Sequence, residues 1–244
     1  MNILVVNDDS INSYGIKILA EKLKKYGKVF VVAPHTEQSA IGHGITIHTP
    51  MKLHVQEDFL DGVKAWSLEG KPADCVKFAL YGLHLSIDLV VSGINNGPNV
   101  GTDIMYSGTL AGASEAVICG VPAIAVSTDF DSFEMAEEKI ECVLDKIIDK
   151  NILNSEIVIN VNFPRKKFVH SKGIKVTEQG LRPYLHEFEL DGDVYWAKGT
   201  WDVIENGANT DVFAYENGYI SITPIQINRT DYIYMEQLKE KFPS

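Results

Sequence analysis

Asn2-Ile3-Leu4-Val5-Val6-Asn7-Asp8-Asp9 opens the chain with four consecutive apolar residues that run into an amide and two adjacent carboxylates. A short continuous apolar run bounded by polar residues reads as a strand covered on both faces, the pattern of a parallel sheet packed between helices. Asp8 and Asp9 then fall just past the carboxyl end of that strand, the edge at which open α/β sheets bind ligands. Two neighbouring carboxylates repel each other, and a divalent metal is one way of holding them together. A turn followed by a helix N-cap is the other reading, since Asp is a favoured cap.

Further along, the pattern of a βαβ unit emerges. Residues 14–26 place Ile16, Leu19, Ala20 and Leu23 at helical spacing, with Gly27 as the stop. Residues 29–33 form a second buried-type strand, and the crossover between the two strands should be right-handed. Alternation at residues 45–55, interrupted at Pro50, predicts an antiparallel strand pair, and residues 63–68 another strand. Pro72 opens a helix expected to reach Leu83, with Asp74 in a capping role. Core strands follow at 87–91, 122–127 and 157–161, with helices at 110–119 and 132–148 between them. The alternation then stops. Residues 180–209 are aromatic, charged and glycine-broken, with Tyr184, Tyr195, Trp196 and Trp201. They read as an extended arm, whose tryptophans fit either a subunit contact or packing on the chain's own core. Residues 211–216 fit a short helix or a strand; residues 219–223 read as a strand and 232–241 as a closing helix. The expected division is an α/β catalytic core over 1–179, an oligomerisation arm with a return strand over 180–230, and a C-terminal helix over 231–244.

Composition narrows the function. With 22 basic and 33 acidic residues, the formal net charge of the 244-residue chain is −11. That argues against a nucleic-acid duplex or an anionic membrane as the main partner. A small phosphate ester remains admissible if a cation intervenes: at an effective dielectric near 20, a carboxylate and a phosphate about 4 Å apart repel by roughly 4 kcal/mol. Cys75, Cys119 and Cys142 show no CxxC spacing, which predicts reduced thiols in a cytoplasmic protein. No apolar stretch approaches the length of a membrane span.

Three polar loops share the carboxyl edge of the predicted sheet. Residues 34–44 carry Ser39, His35 and His43 in a loop of small residues. Residues 92–101, Ser-Gly-Ile-Asn-Asn-Gly-Pro-Asn-Val-Gly, read as a turn rich in neutral oxygen donors, Asn95 among them. Tyr106-Ser107-Gly108-Thr109 sits where a helix starts. There, free N–H groups and two hydroxyls suit either capping or an anion.

Taken together, Asn7-Asp8-Asp9, Val32-Ala33-Pro34, Ser39, Val91-Ser92-Gly93-Ile94-Asn95 with Gly97, Asn99 and Gly101, Tyr106-Ser107-Gly108-Thr109 and Gly218-Tyr219-Ile220-Ser221-Ile222-Thr223-Pro224 resemble the survival protein E family of nucleotidases. The ordered set spans nearly the whole chain. The resemblance implies a Rossmann-like α/β core with a mostly parallel sheet, flanking helices and a protruding C-terminal β arm exchanged within dimers or tetramers. It implies a 5′/3′-nucleotidase, a phosphomonoesterase of the acid-phosphatase type acting on nucleoside monophosphates. Asp8, Asp9, Ser39 and Asn95 would hold one divalent cation per subunit, Mg²⁺ or Mn²⁺, which accords with the preference of hard ions for oxygen donors. Asp8, Asp9 and Asn95 are the expected catalytic residues; Asn95, Ser107, Gly108 and Thr109 are expected to bind the phosphate. A metal-activated water is preferred to Asp8 as nucleophile, and His43 is a candidate general acid. The rival from another class is a non-catalytic nucleotide-sensing module on the same fold. An acyl-phosphate phosphatase normally has Asp-x-Asp at this position, and the pair here is adjacent.

Overall fold

The computed structural model describes residues 1–149, 152–202 and 204–242. In chain order the regular elements are β1 (Asn2–Val6), α1 (Tyr14–Leu23), β2 (Lys28–Pro34), β3 (Leu53–Val55), β4 (Lys64–Leu68), α2 (Pro72–Lys77), β5 (Leu89–Asn96), α3 (Gly108–Ile118), β6 (Ala123–Thr128), α4 (Glu134–Asp149), β7 (Ile157–Asn162), β8 (Ile174–Val176), β9 (Tyr184–Asp191), β10 (Val194–Trp201), α5 (Asp211–Glu216), β11 (Ile220–Gln226) and α6 (Tyr232–Lys241). Nine strands form one sheet in the order β3-β4-β2-β1-β5-β6-β7-β11-β8. Only the β3–β4 and β7–β11 pairings are antiparallel. Among the described residues, no helix is long and apolar enough to cross a membrane.

β1 shows why the sheet needs two covers. Its side chains alternate between faces, so Ile3 and Val5 pack in one core with α1 and α4, while Leu4 and Val6 pack in the other with α2 and α3. All four are fully buried, each contributing roughly 1.5–3 kcal/mol of hydrophobic stabilisation. The chain steps from β1 to β2 on one side and later returns to place β5 on the other. The strand order therefore reverses at β1, and a crevice opens between the carboxyl ends of β1 and β5.

The sequence expectations differ from the structure at three places. Residues 45–49 are not a strand; only Leu53–Val55 pairs, antiparallel to β4. Side chains at the start of α2 take the backbone groups a ladder would have used: Lys71 Nζ donates to the Ile45 carbonyl at 2.8 Å, and Asp74 accepts from Thr46 N–H at 3.0 Å. The α-helix opened by Pro72 ends at Lys77 and continues as one wider turn over Phe78–Gly82. Residues 92–96, read as a turn, belong to β5. They remain in the sheet by pairing with β6 on both sides of a register shift between Ser92 and Asn95. Residues 211–216 settle as a helix because Thr210 Oγ1 accepts from Phe213 N–H.

β9 and β10 leave the sheet as a separate antiparallel hairpin with Asp191 opposite Val194. Almost every residue of it is exposed, including Leu185, Phe188, Leu190, Tyr195 and Trp196. It is the protruding β arm.

α1 lies against β5 so closely that a Cβ at Gly15 would stand 2.0 Å from the Ile94 carbonyl oxygen. Gly15→Ala is therefore expected to force the helix outward and to lower stability by about 1–3 kcal/mol, the usual range for overpacking. A urea midpoint equal to that of the unmodified chain would contradict this packing.

Candidate metal centre

Asn7 sets the geometry that follows β1. It is fully buried, and its Nδ2 donates to the Ser10 carbonyl and to Ser13 Oγ, both at 2.8 Å. Ser13 in turn caps α1 by accepting from Ile16 N–H. The cap of α1 is thus Ser13, and Asp8 and Asp9 are left to project from the sheet edge.

Asp8 is buried, and its Oδ1 accepts from the Thr109 hydroxyl at 2.5 Å. A Cβ at Gly108 would lie 2.8 Å from Asp8 Oδ2, so glycine is what lets the first turn of α3 come this close. Asp9 Oδ2 accepts from the backbone N–H of Asn96 at 2.9 Å, which ties the end of β1 to the end of β5. Asn95 donates its Nδ2 to the Gly97 carbonyl at 2.7 Å, leaving Oδ1 as the donor atom it can offer a cation. Asp8, Asp9, Ser39, Asn95 and Ser107 all line one cavity of about 180 Å³, together with Asp103, Tyr106 and Phe130. Ser39 is exposed and donates its hydroxyl to Glu37 at 2.5 Å.

The electrostatics of this cavity are unfavourable as they stand. Burial pushes the Asp8 carboxyl up to about 7, with the charge of Asp9 adding and hydrogen bonds from Thr109 opposing. Burial also raises Asp9, against the Asn96 N–H. A site that holds two ionised carboxylates out of water calls for positive charge. The described residues include no cluster of three or more His, Cys, Asp or Glu that could hold a metal. The oxygen donors here are mixed instead: two carboxylates, an amide and a hydroxyl. That set fits a hard ion such as Mg²⁺ or Mn²⁺.

Thr109 and His43 sit differently from their sequence reading, whereas Ser107 keeps the capping role it was given. Thr109 is fully buried with its hydroxyl on Asp8, so the anion met by that side chain at the start of α3 is the protein's own carboxylate. Ser107 lines the cavity while its Oγ accepts from Leu110 N–H as the N-cap. His43 is outside the cavity, 2.7 Å from the buried Glu115, whose carboxyl it helps to hold below the usual range.

The survival protein SurE family model matches residues 3–186. The chain belongs to this family. Two SurE relatives, each called 5′-nucleotidase SurE, align along nearly the full length of both chains. The protein of Clostridium beijerinckii is 41% identical, covering 99% of each chain. That of Alkaliphilus metalliredigens is 43% identical, covering 98% of each. The crystal structure of the SurE protein from Aquifex aeolicus superposes with a TM-score of 0.81 at 37% identity, over 99% of this chain and 100% of that one.

Tyr106 belongs to the segment that the sequence already marks at the start of α3, whereas Asp103 and Phe130 are lining residues that the sequence reading does not single out. Phe130 follows β6 on the same sheet edge, and an aromatic residue there is a signal the strand order makes readable. Asp103 is held by Arg182, 79 residues away in sequence.

In metal-free protein, Asp8 holds its proton more tightly when folded than when unfolded. Its contribution to stability is therefore best at low pH and declines as the pH rises from about 4 to about 7. The decline is on the order of 4 kcal/mol. Urea unfolding in EDTA across this window should show a steeper loss for the native chain than for Asp8→Asn. Parallel curves would refute the burial cost assigned to Asp8.

Proposed function

We propose that this chain is a metal-dependent phosphomonoesterase that hydrolyses nucleoside 5′- and 3′-monophosphates to nucleoside and phosphate. The carrying observation is the cavity in which Asp8, Asp9, Ser39 and Asn95 converge on the strand-reversal crevice. The activity named for the relatives from Clostridium beijerinckii and Alkaliphilus metalliredigens supports this reading.

Asp8, Asp9, Ser39 and Asn95 would hold one divalent cation per subunit. When bound, that ion neutralises the carboxylate pair and polarises the phosphoryl group. The protein's own part is positioning. Thr109 and Gly108 fix Asp8 from behind, the Asn96 N–H fixes Asp9, and Gly97 turns the Asn95 amide so that its oxygen is the free end. Ser107 and the first turn of α3 are the groups proposed to receive the phosphate, with the N-terminal end of the helix, where Ser107 lines the cavity, favouring negative charge. Preorganised groups of this kind lose little to reorganisation as charge develops in the transition state. Thr109 serves the phosphate indirectly, through Asp8. The arm, with its exposed apolar side chains, is proposed to join subunits in a homodimer or homotetramer, and the chain is proposed to work in the cytoplasm.

A phosphate-release panel across nucleoside 5′- and 3′-monophosphates, each with EDTA, Mg²⁺ or Mn²⁺, tests the proposal. Turnover should appear with metal and vanish with EDTA, and Asp9→Ala should lose at least about a hundred-fold in kcat/KM, of the size expected when a transition-state electrostatic group is removed. Calorimetry should show the same variant failing to take up Mn²⁺. Metal-independent release, or full activity in Asp9→Ala, would overturn the reading.

A further inference from the structure

The cavity of about 180 Å³ around Asp8 and Asp9 has room for a cation and a phosphate but falls below the roughly 300 Å³ at which ligand pockets begin to enclose a molecule of nucleotide size. The rest of a nucleoside monophosphate must therefore lie in an adjoining space, and among the described residues two spaces share a lining residue with this cavity. One, of about 570 Å³, shares Ser107 and has walls that mix aliphatic residues such as Ile104, Leu110 and Ile225 with polar ones such as Gln226 and Arg229, with no Phe, Tyr or Trp among them. The other, of about 430 Å³, shares Phe130 and lies at the base of the arm, against Trp201, Tyr215 and Arg182.

Base recognition separates them. Purines and pyrimidines stack on aromatic faces, an interaction that changes affinity by roughly five- to a hundred-fold per base. Phe130 and Trp201 are 44% and 40% exposed, with ring centroids 6.2 Å apart at 40°. Most exposed aromatics need no explanation, but these two are held in place. The Phe130 ring rests on the backbone of Gly97, where a Cβ would come within 2.7 Å of it, so it is fixed to the segment that carries Asn95. Trp201 is fixed from both ends. Its face carries the Arg182 guanidinium at 4.3 Å, and its Nε1 donates to Asp103 at 3.4 Å. Asp103 lines the metal cavity and pairs with Arg182 at 2.6 Å. The Arg182 guanidinium also lies 5.6 Å from the Tyr215 ring, and the Tyr215 hydroxyl donates to Asp129 at 2.5 Å. The aromatic pair is thus a continuation of the metal cavity, rigidly referenced to it.

We propose that Phe130 and Trp201 form the nucleobase subsite, so that the arm supplies a specificity-determining residue to the core. This inference rests on the reading that the chain binds nucleoside monophosphates. It places the phosphate at Asp8, Asp9 and Ser107 and the base on the arm side, away from His43.

Two measurements test it. Calorimetric titration with adenosine and with ribose, in the presence of Mg²⁺ and inorganic phosphate, reads binding without turnover. KM for adenosine 5′-monophosphate against ribose 5-phosphate reads the same preference during catalysis. The unmodified chain should favour the adenine-bearing compound of each pair by about ten-fold or more. Phe130→Ala and Trp201→Ala should each weaken the adenine-bearing compound more than its ribose counterpart and so remove most of that preference, read as the ratio of the two KM values within each variant. Trp201→Phe, which retains an aromatic face, should restore most of it and so separates stacking from collapse of the arm. Survival of the adenine preference in both alanine variants, equal weakening of both compounds, or no preference in the unmodified chain would overturn the proposal. A chain that shows the adenosine preference but releases no phosphate would overturn the nucleotidase reading and leave this one standing.

Discussion

Two adjacent carboxylates held at a buried strand end are the constraint around which the rest of this molecule is arranged. Without compensation Asp8 is only partly ionised there at neutral pH, because burial and the neighbouring Asp9 both act against its charge. Two elements that reach the cavity answer that difficulty in part. α3 brings the Thr109 hydroxyl, β5 brings the Asn96 N–H, and the donors left over are oxygens suited to a hard cation. Hydrogen bonds to a carboxylate soften its cost but do not cancel two like charges. The donor chemistry therefore points outward, to an ion.

The sheet explains why these groups meet although they are far apart in sequence. β1 and β5 are neighbours only because the strand order reverses at β1, and that reversal opens the crevice into which both strands deliver their ends. A uniform progression of strands would have filled the gap with a helix. The two hydrophobic cores make the crevice rigid, since β1 contributes two fully buried side chains to each. Rigidity at the base allows the loops above to be polar, glycine-rich and still well placed.

Much of this was legible in the residues themselves. The continuous apolar run of β1 announces a strand covered on both faces, and the alternation of strand and helix announces the parallel sheet. The errors have a common physical origin. Residues 92–96 have the composition of a turn, yet sheet pairing on either side of a register shift outweighs local preference. Residues 45–49 alternate like a strand, yet Lys71 and Asp74 claim their backbone groups first. The Thr109 hydroxyl looked available for a phosphate because only the folded chain brings Asp8 to it. In each case a contact between distant residues decided the outcome, and no local pattern encodes such a contact.

The hairpin has a two-residue turn, with Asp191 opposite Val194. Pairs of residues could be added to or removed from its tip while the alternation of its faces and the seat of Trp201 at its foot stayed as they are. Between Val6 and Asp8 there is no such freedom. One extra residue would turn the carboxylate pair toward the opposite side of the sheet and part Asp8 from Thr109. Natural variation in chain length among homologues should therefore collect at the tip and be absent from that short span.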